Sequence, residues 1–404
     1  MMSVLNVVAT ALAVLLVVPA LVLLVECMAA IFPAPPPRAR PAQPDSAGLP
    51  TCVVIPAHNE AAGLARVVEP LRRRLRPGDR LLVVADNCTD ATASVARAAG
   101  ADVIERNSPS ERGKGFAIAH ALQHLAAAPP NVVVLVDADC EISAEGIEQL
   151  AARARASSRP MQAEYLLVAP AASSARTAIG AFAVLIRNRV RPRGLRRLGL
   201  PCHLTGSGMA FPWRVISQCP LLGANLVEDL AMGIELAVLG YSAQSDPEVQ
   251  VLSSLPEEYD SAMRQRRRWE HGHLDMVRLH FLRLIRESIA QRRVELLALA
   301  LDLAVPPLTL LVLLEAATLI AAAALLGATG SGVPLLAASF ATACTLLALG
   351  VAWAAFGRGV LTVRHVLQLP VYLLQKMPLY LSYLLRHKQR DWERTRRGDE
   401  QDFP

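Results

Sequence analysis

VVVLVDADC, residues 132–140, decides how this chain is read. Its first five residues are apolar and mostly valine, the composition of a strand buried on both faces. The run passes straight into Asp137 and Asp139. A buried strand that ends in two carboxylates sets charge at a sheet edge. In extended chain, residues i and i+2 point to the same side. The two carboxylates are therefore expected to form a hard-oxygen site suited to Mg2+ or Mn2+. The plain alternative is a solvated strand end with incidental acids.

Outward from this stretch the period alternates. TCVVIP (51–56) and DRLLVVAD (79–86) are two more short, β-branched strands. EAAGLARVVEPLRRRL (60–75), ATASVARAAG (91–100) and KGFAIAHALQHLAAA (114–128) carry helical patterns. Strand alternating with helix predicts an α/β domain with a mostly parallel sheet, over residues 51–285. Ligands of such sheets sit beyond the carboxyl ends of the strands. Each of the three strands ends in polar residues there: His58, Asn59 and Glu60; Asp86 and Asn87; Asp137 and Asp139.

Further residues are candidates for chemistry. Asp86 is placed to accept hydrogen bonds from a base or ribose, or to shape an Asx turn. Lys114, between Gly113 and Gly115 at a helix start, is placed to meet a phosphate, or lies in a plain loop. Gly206 and Gly208 in HLTGSGMAF permit close backbone approach to a ligand, or make an ordinary turn. Glu228 and Asp229 open a helical pattern, as a cap or with a general base among them. In QRRRWEHGH, Gln265, Arg268 and Trp269 fall at i, i+3 and i+4 and share a helix face. Arginines there suit a diphosphate leaving group and tryptophan a sugar ring, or the helix lies on anionic lipid.

The ends of the chain differ from its middle. Residues 4–25 form an uncharged apolar run long enough to span a bilayer. No basic residue precedes it, so it reads as an anchor rather than a cleaved signal peptide. Arg38 and Arg40 follow it, which places the next domain in the cytoplasm. Residues 1–32 are thus an anchor and the proline-rich residues 33–50 a semi-rigid linker. Residues 286–404 are a second membrane region. Spans are expected at 303–326 and 333–356, an interfacial helical segment at 360–385 and a cytoplasmic tail beyond. Glu315, inside a span, reads as a hydrogen bond to a neighbouring helix or as a functional group. The net charge of +6 admits anionic partners, but aromatics at 4% argue against a stacking platform for nucleic acid. Seven cysteines without CxxC spacing argue against a zinc site or a disulfide framework.

Asp86, Asp137-Ala-Asp139, Glu228-Asp229 and Gln265-Arg-Arg-Arg268-Trp269, in that order, resemble the membrane-bound family 2 glycosyltransferases, which include the cellulose, chitin and hyaluronan synthases. VVIPAHNE (53–60), the leading anchor and the trailing spans are similar too. The resemblance implies a GT-A fold and an inverting, metal-dependent transfer from a nucleotide-sugar, UDP by preference, to a saccharide or polyprenyl-linked acceptor. It implies that Asp86, with His58, Asn59 and Glu60, and with Lys114 and Asp137, binds the donor. Asp137 and Asp139 would hold Mg2+ or Mn2+. Asp229 would be the base, and Glu228, Gln265, Arg268 and Trp269 would meet acceptor and diphosphate. The implied setting is the inner membrane and the product a surface glycan. A processive polysaccharide synthase is the alternative: Gln265-Arg-Arg-Arg268-Trp269 points toward it, and the small membrane region departs from the large processive synthases. A non-catalytic sugar-nucleotide-binding subunit would be expected to have lost one of Asp137, Asp139 or Asp229, and all three are present.

Overall fold

The structure, a computed structural model, describes residues 2–33, 50–168, 174–220, 227–254 and 259–385. The linker at 34–49 and the tail from 386 lie outside the described residues. The chain divides into two compact units. One comprises Met1–Ala34, Ala171–Leu200 and His273–Lys388 and carries the apolar helices. The other comprises Pro35–Pro170, Pro201–Gly272 and Gln389–Pro404 and carries the sheet. Residues 171–200 and 273–285, expected within the α/β domain, thus fall in the helical unit.

The sheet unit is α/β, as predicted. Its strands are β1 (Thr51–Ala57), β2 (Arg80–Asp86), β3 (Asp102–Arg106), β4 (Val132–Leu135), β5 (Cys140–Glu141), β6 (Met161–Val168), β7 (Met209–Pro212) and β8 (Gln244–Ser254). They are ordered β3-β2-β1-β4-β7-β6-β8-β5. The first four run parallel, β7 runs antiparallel to β4 and β6, and β6 is parallel to β8.

Burial on both faces explains the unbroken apolar strands. Val53 and Ile55 of β1 and Val134 of β4 pack on Leu64, Val67, Val68 and Leu71 of the helix Leu64–Arg74 and on Ile147 and Leu150. Their neighbours Cys52, Val54, Val133 and Leu135 pack on Ala117, Ile118 and Leu125 of the helix Lys114–Leu125. Leu64, Val67, Val68 and Leu71 fall at i, i+3, i+4 and i+7, one helical stripe. Ser143 caps the next helix, Ala144–Ser157, by accepting the Gly146 N–H at 3.0 Å.

One expectation is corrected at the decisive stretch. Strand β4 stops at Leu135, and Asp137-Ala138-Asp139 form a turn closed by the Cys140 N–H on the Asp137 carbonyl at 3.0 Å. The two carboxylates are brought together by that turn, not by strand alternation.

Among the described residues, three helices of the helical unit are long and apolar enough to cross a membrane: Val4–Ala30, Leu308–Thr329 and Val333–Gly357. Their outward residues, such as Val7, Leu15, Ile320 and Leu336, are apolar and exposed, as a lipid-facing surface requires. The second span begins at Leu308 rather than 303. Pro306 and Pro307 lack N–H donors and separate it from the helix Val294–Ala304. Residues 360–385 form two helices, Val363–Val366 and Leu369–Leu384, the second with Pro370 in its first turn and Pro378 inside. Glu315 is buried and accepts the Thr345 hydroxyl at 2.7 Å, so the inter-helix hydrogen bond is the reading borne out.

Sequence reading missed the polar clasp of this unit. Arg191 is buried between Glu26, at 2.7 Å, and Asp302, whose carboxylate and carbonyl both accept from its guanidinium. A Cβ on Gly194 would stand 2.0 Å from the Glu26 carbonyl oxygen, so only glycine lets this helix approach the anchor so closely. Phe182 closes in the same way over Gly357, its ring 2.4 Å from where a Cβ there would stand.

Candidate active site

The acidic turn lies beyond the carboxyl end of β4, where the topology places ligands. A buried polar network braces it. The Ser207 hydroxyl accepts the Asp137 N–H at 3.0 Å, and Gln162 donates to the Ser207 carbonyl at 2.9 Å. The Gln162 carbonyl in turn accepts the Thr205 N–H at 2.9 Å. Ser207 and Gln162 are both buried. Asp139 accepts from the Cys140 thiol at 3.3 Å and from the Ser253 hydroxyl at 3.5 Å.

Ligand atoms of Asp137, Asp139 and Cys140 lie within 4.8 Å of one another. Burial, then the Asp137 charge, push the Cys140 thiol up to about 12, so it stays protonated near neutrality. The other two are carboxylates, a pair that fits a hard divalent ion such as Mg2+ or Mn2+ better than zinc.

Lys114 stands at the centre of the cluster. Its ammonium donates to Asp137 Oδ1 at 2.5 Å and to the Gly206 carbonyl at 2.6 Å, and lies 3.6 Å from Glu228 Oε1. Burial pulls its pKa down, but Asp137, Glu228 and Asp229 outweigh that and hold it above the ordinary lysine value. Burial pushes the Glu228 carboxyl up to about 7, against the pull of Lys114 and with the help of the Asp229 charge.

Glu228 and Asp229 open the helix Glu228–Val238, where carboxylates also favour the helix dipole. They face different neighbours. Glu228 lines a shallow apolar cleft with Gly115, Ile118 and Met232. Asp229 faces the glycine loop: a Cβ on Gly206 would lie 3.3 Å from Asp229 Oδ2 and 3.8 Å from the Lys114 nitrogen. Gly206 also has φ +97°, a conformation that favours glycine, and a Cβ there would sit tightly against Asp229. Gly208 (φ +68°) is a packing glycine instead, since a Cβ would stand 2.4 Å from Val251.

At the ends of β1 and β2 the predicted donor residues are tied to one another. The Asp86 carbonyl lies 2.7 Å from His58 Nδ1. Asn59, with φ 55°, accepts the Thr89 N–H at 2.7 Å, and the Glu60 N–H donates to Thr92 at 2.8 Å. Asp86 is almost wholly buried rather than open at the edge. Its Oδ1 already accepts from Arg106 at 2.7 Å and from Asn87 at 3.2 Å. Arg106 also pairs with Glu111 at 2.6 Å and stacks over Phe116 at 5.2 Å. It thereby links this edge to the helix that begins at Lys114.

Gln265, Arg268 and Trp269 lie on the long helix Tyr259–Ala290 at the predicted spacing, with Gln265 buried. Three residues on, Gly272 seats against Val227, the residue before Glu228; a Cβ there would stand 2.7 Å from a Val227 methyl. The glutamine-to-tryptophan face and the acidic helix start are therefore neighbours.

The structure thus gathers Asp137, Asp139, Lys114, Glu228 and Asp229 in one cluster and ties His58, Asn59 and Glu60 to Asp86 and the residues that follow it. Sequence reasoning missed Arg106, Ser207 and Gln162. Arg106 had a signal, as the last residue of a strand beside Asp86. Gln162, the second residue of β6, had none.

Compared with known proteins, residues 49–272 match the family model described as "Glycosyltransferase like family 2". The search of curated proteins gave no match. Among solved structures the chain is similar to a mannosyltransferase from Pyrobaculum calidifontis, solved with GDP-Man and Mn2+. Identity is 21% and the TM-score 0.55, over 94% of this chain and 100% of that one. It also matches glucosyl-3-phosphoglycerate synthase from Mycobacterium tuberculosis, at 23% identity and a TM-score of 0.38, over 57% of this chain and 78% of that one.

Proposed function

The chain belongs to glycosyltransferase-like family 2, and from that premise we propose that it moves a sugar, with inversion, from a nucleotide-sugar to a saccharide or polyprenyl-linked acceptor. The donor is a UDP-sugar by preference, with GDP-sugars the next to test. The sheet unit works at the cytoplasmic face of the inner membrane, held there by the apolar helices, and the product is a cell-surface glycan.

The observation that carries this reading is the gathering of Asp137, Glu228 and Asp229 around Lys114, with Asp139 beside Asp137, at the carboxyl end of β4. Asp137 and Asp139 are the residues that fit Mg2+ or Mn2+; such an ion, when bound, offsets the charge of the diphosphate. Asp86 and the His58–Glu60 loop border the nucleotide. Asp229 takes the proton of the acceptor hydroxyl as that oxygen bonds to the anomeric carbon. The bond from that carbon to the diphosphate breaks, and its electron pair leaves with the diphosphate. Lys114 and Arg268 meet the charge that develops, where fixed cations matter most. Trp269 gives the sugar a flat wall, and Gln265 orients the acceptor. Only one carboxylate opposite the leaving group is needed for inversion.

The test is Asp229→Asn. A base that acts only in the transition state raises kcat without strengthening donor binding. Transfer is expected to fall at least about 100-fold, with donor binding in calorimetry unchanged. A variant with near-normal turnover would show that the base lies elsewhere.

A further inference from the structure

Lys114 has three N–H donors, of which one reaches Asp137 Oδ1 at 2.5 Å and one the Gly206 carbonyl at 2.6 Å, while Glu228 Oε1 lies 3.6 Å away as an ion pair. The ammonium thus sits on one of the two carboxylates that fit a divalent ion. An ammonium and a divalent cation cannot both approach Asp137 closely without repelling each other.

The lysine stem is flexible, while its backbone is fixed at the first turn of a helix after Gly113. Its head can leave Asp137 only for another anion. The donor brings one, since a diphosphate offers several oxygens and more charge than one carboxylate. From this we propose that Lys114 is a stand-in cation: in the donor-free protein it holds the metal's place on Asp137, and the donor's diphosphate draws it away. Metal and nucleotide then bind cooperatively, each favouring the other by the same factor. The inference rests on the reading of Asp137 and Asp139 given above. Its consequence is protection: without donor, Asp137, Glu228 and Asp229 are partly neutralised by the chain itself.

Mn2+ binding to the detergent-purified full chain, followed by electron paramagnetic resonance with and without UDP or GDP, tests this without any turnover. In the unaltered protein either nucleotide is expected to tighten Mn2+ binding by about tenfold or more. Lys114→Met is expected to bind Mn2+ alone about tenfold tighter than the unaltered protein and to gain less from nucleotide. Lys114→Arg keeps the charge and is expected to behave as the unaltered chain. Lys114→Gln, neutral and polar, serves if the methionine variant does not fold. Neutral variants that bind Mn2+ no tighter than the unaltered protein would overturn the proposal while leaving the metal site intact. If the unaltered chain bound no Mn2+ even with nucleotide, the metal-site reading would fall, and this proposal with it.

Discussion

At Gly206 two constraints meet on one residue. Its φ of +97° strains any side chain, at a cost of roughly 1 kcal/mol. A methyl there would also press between Asp229 and Lys114. Gly206→Ala is expected to lower stability slightly but to lower turnover at least about tenfold, because it displaces the base by a fraction of an ångström. A melting curve beside a rate measurement separates the two effects; normal turnover would mean that the loop stands away from the chemistry. Glu228 gives a pH prediction. Its folded pKa, raised to about 7, exceeds the ordinary carboxyl value, so the folded state binds the proton more tightly than the unfolded one. Its contribution is therefore full below about pH 4 and lost as pH rises through about 7. Glu228→Gln removes that dependence. The variant should be the more stable protein at pH 8, and its advantage should shrink as pH falls and vanish by about pH 4. Melts of both proteins across that range check the sign.

The decisive elements were legible in the sequence where burial and chemistry coincide. Valine runs ending in acids announce buried strands with a polar end, and β1, β2 and β4 follow. What stayed hidden has physical reasons. The turn at Asp137-Ala138-Asp139 is set by Ser207 and Gln162, which come from strands and loops remote in sequence. A buried glutamine at the start of a strand looks like any polar residue until the partners are known. Arg191 was hidden likewise, since one arginine in a basic stretch is indistinguishable from its solvated neighbours. Its clasp joins three separate helices, and removing one member strands buried charge. Arg191→Met is expected to destabilise the helical unit by about 3 kcal/mol or more. Replacing Glu26 and Asp302 with neutral residues in the same chain should recover much of that loss. Thermal melts of the single and triple variants decide it; a single variant as stable as the unaltered protein would mean the clasp is not a closed buried network.

On the scale of the whole molecule, three apolar helices share one chain with a sugar-nucleotide fold. The first ends before the sheet unit begins and the other two follow it, and the cytoplasmic placement proposed above on the positive-inside rule has a direct test. Protease added to sealed inside-out membrane vesicles should therefore degrade the sheet unit, and the same protease on right-side-out vesicles should spare it. The reverse pattern would place the sheet unit outside. The most direct measurement is donor turnover by the purified full chain. UDP-, GDP- and dTDP-sugars are each offered with Mn2+ and a membrane lipid extract as acceptor source, and release of nucleoside diphosphate is followed. Release from one donor, abolished by EDTA, restored by Mn2+ and lost in Asp139→Asn, is the predicted result. Absence of both release and binding for every donor in the panel would contradict the assignment of this cluster as a glycosyltransferase active site.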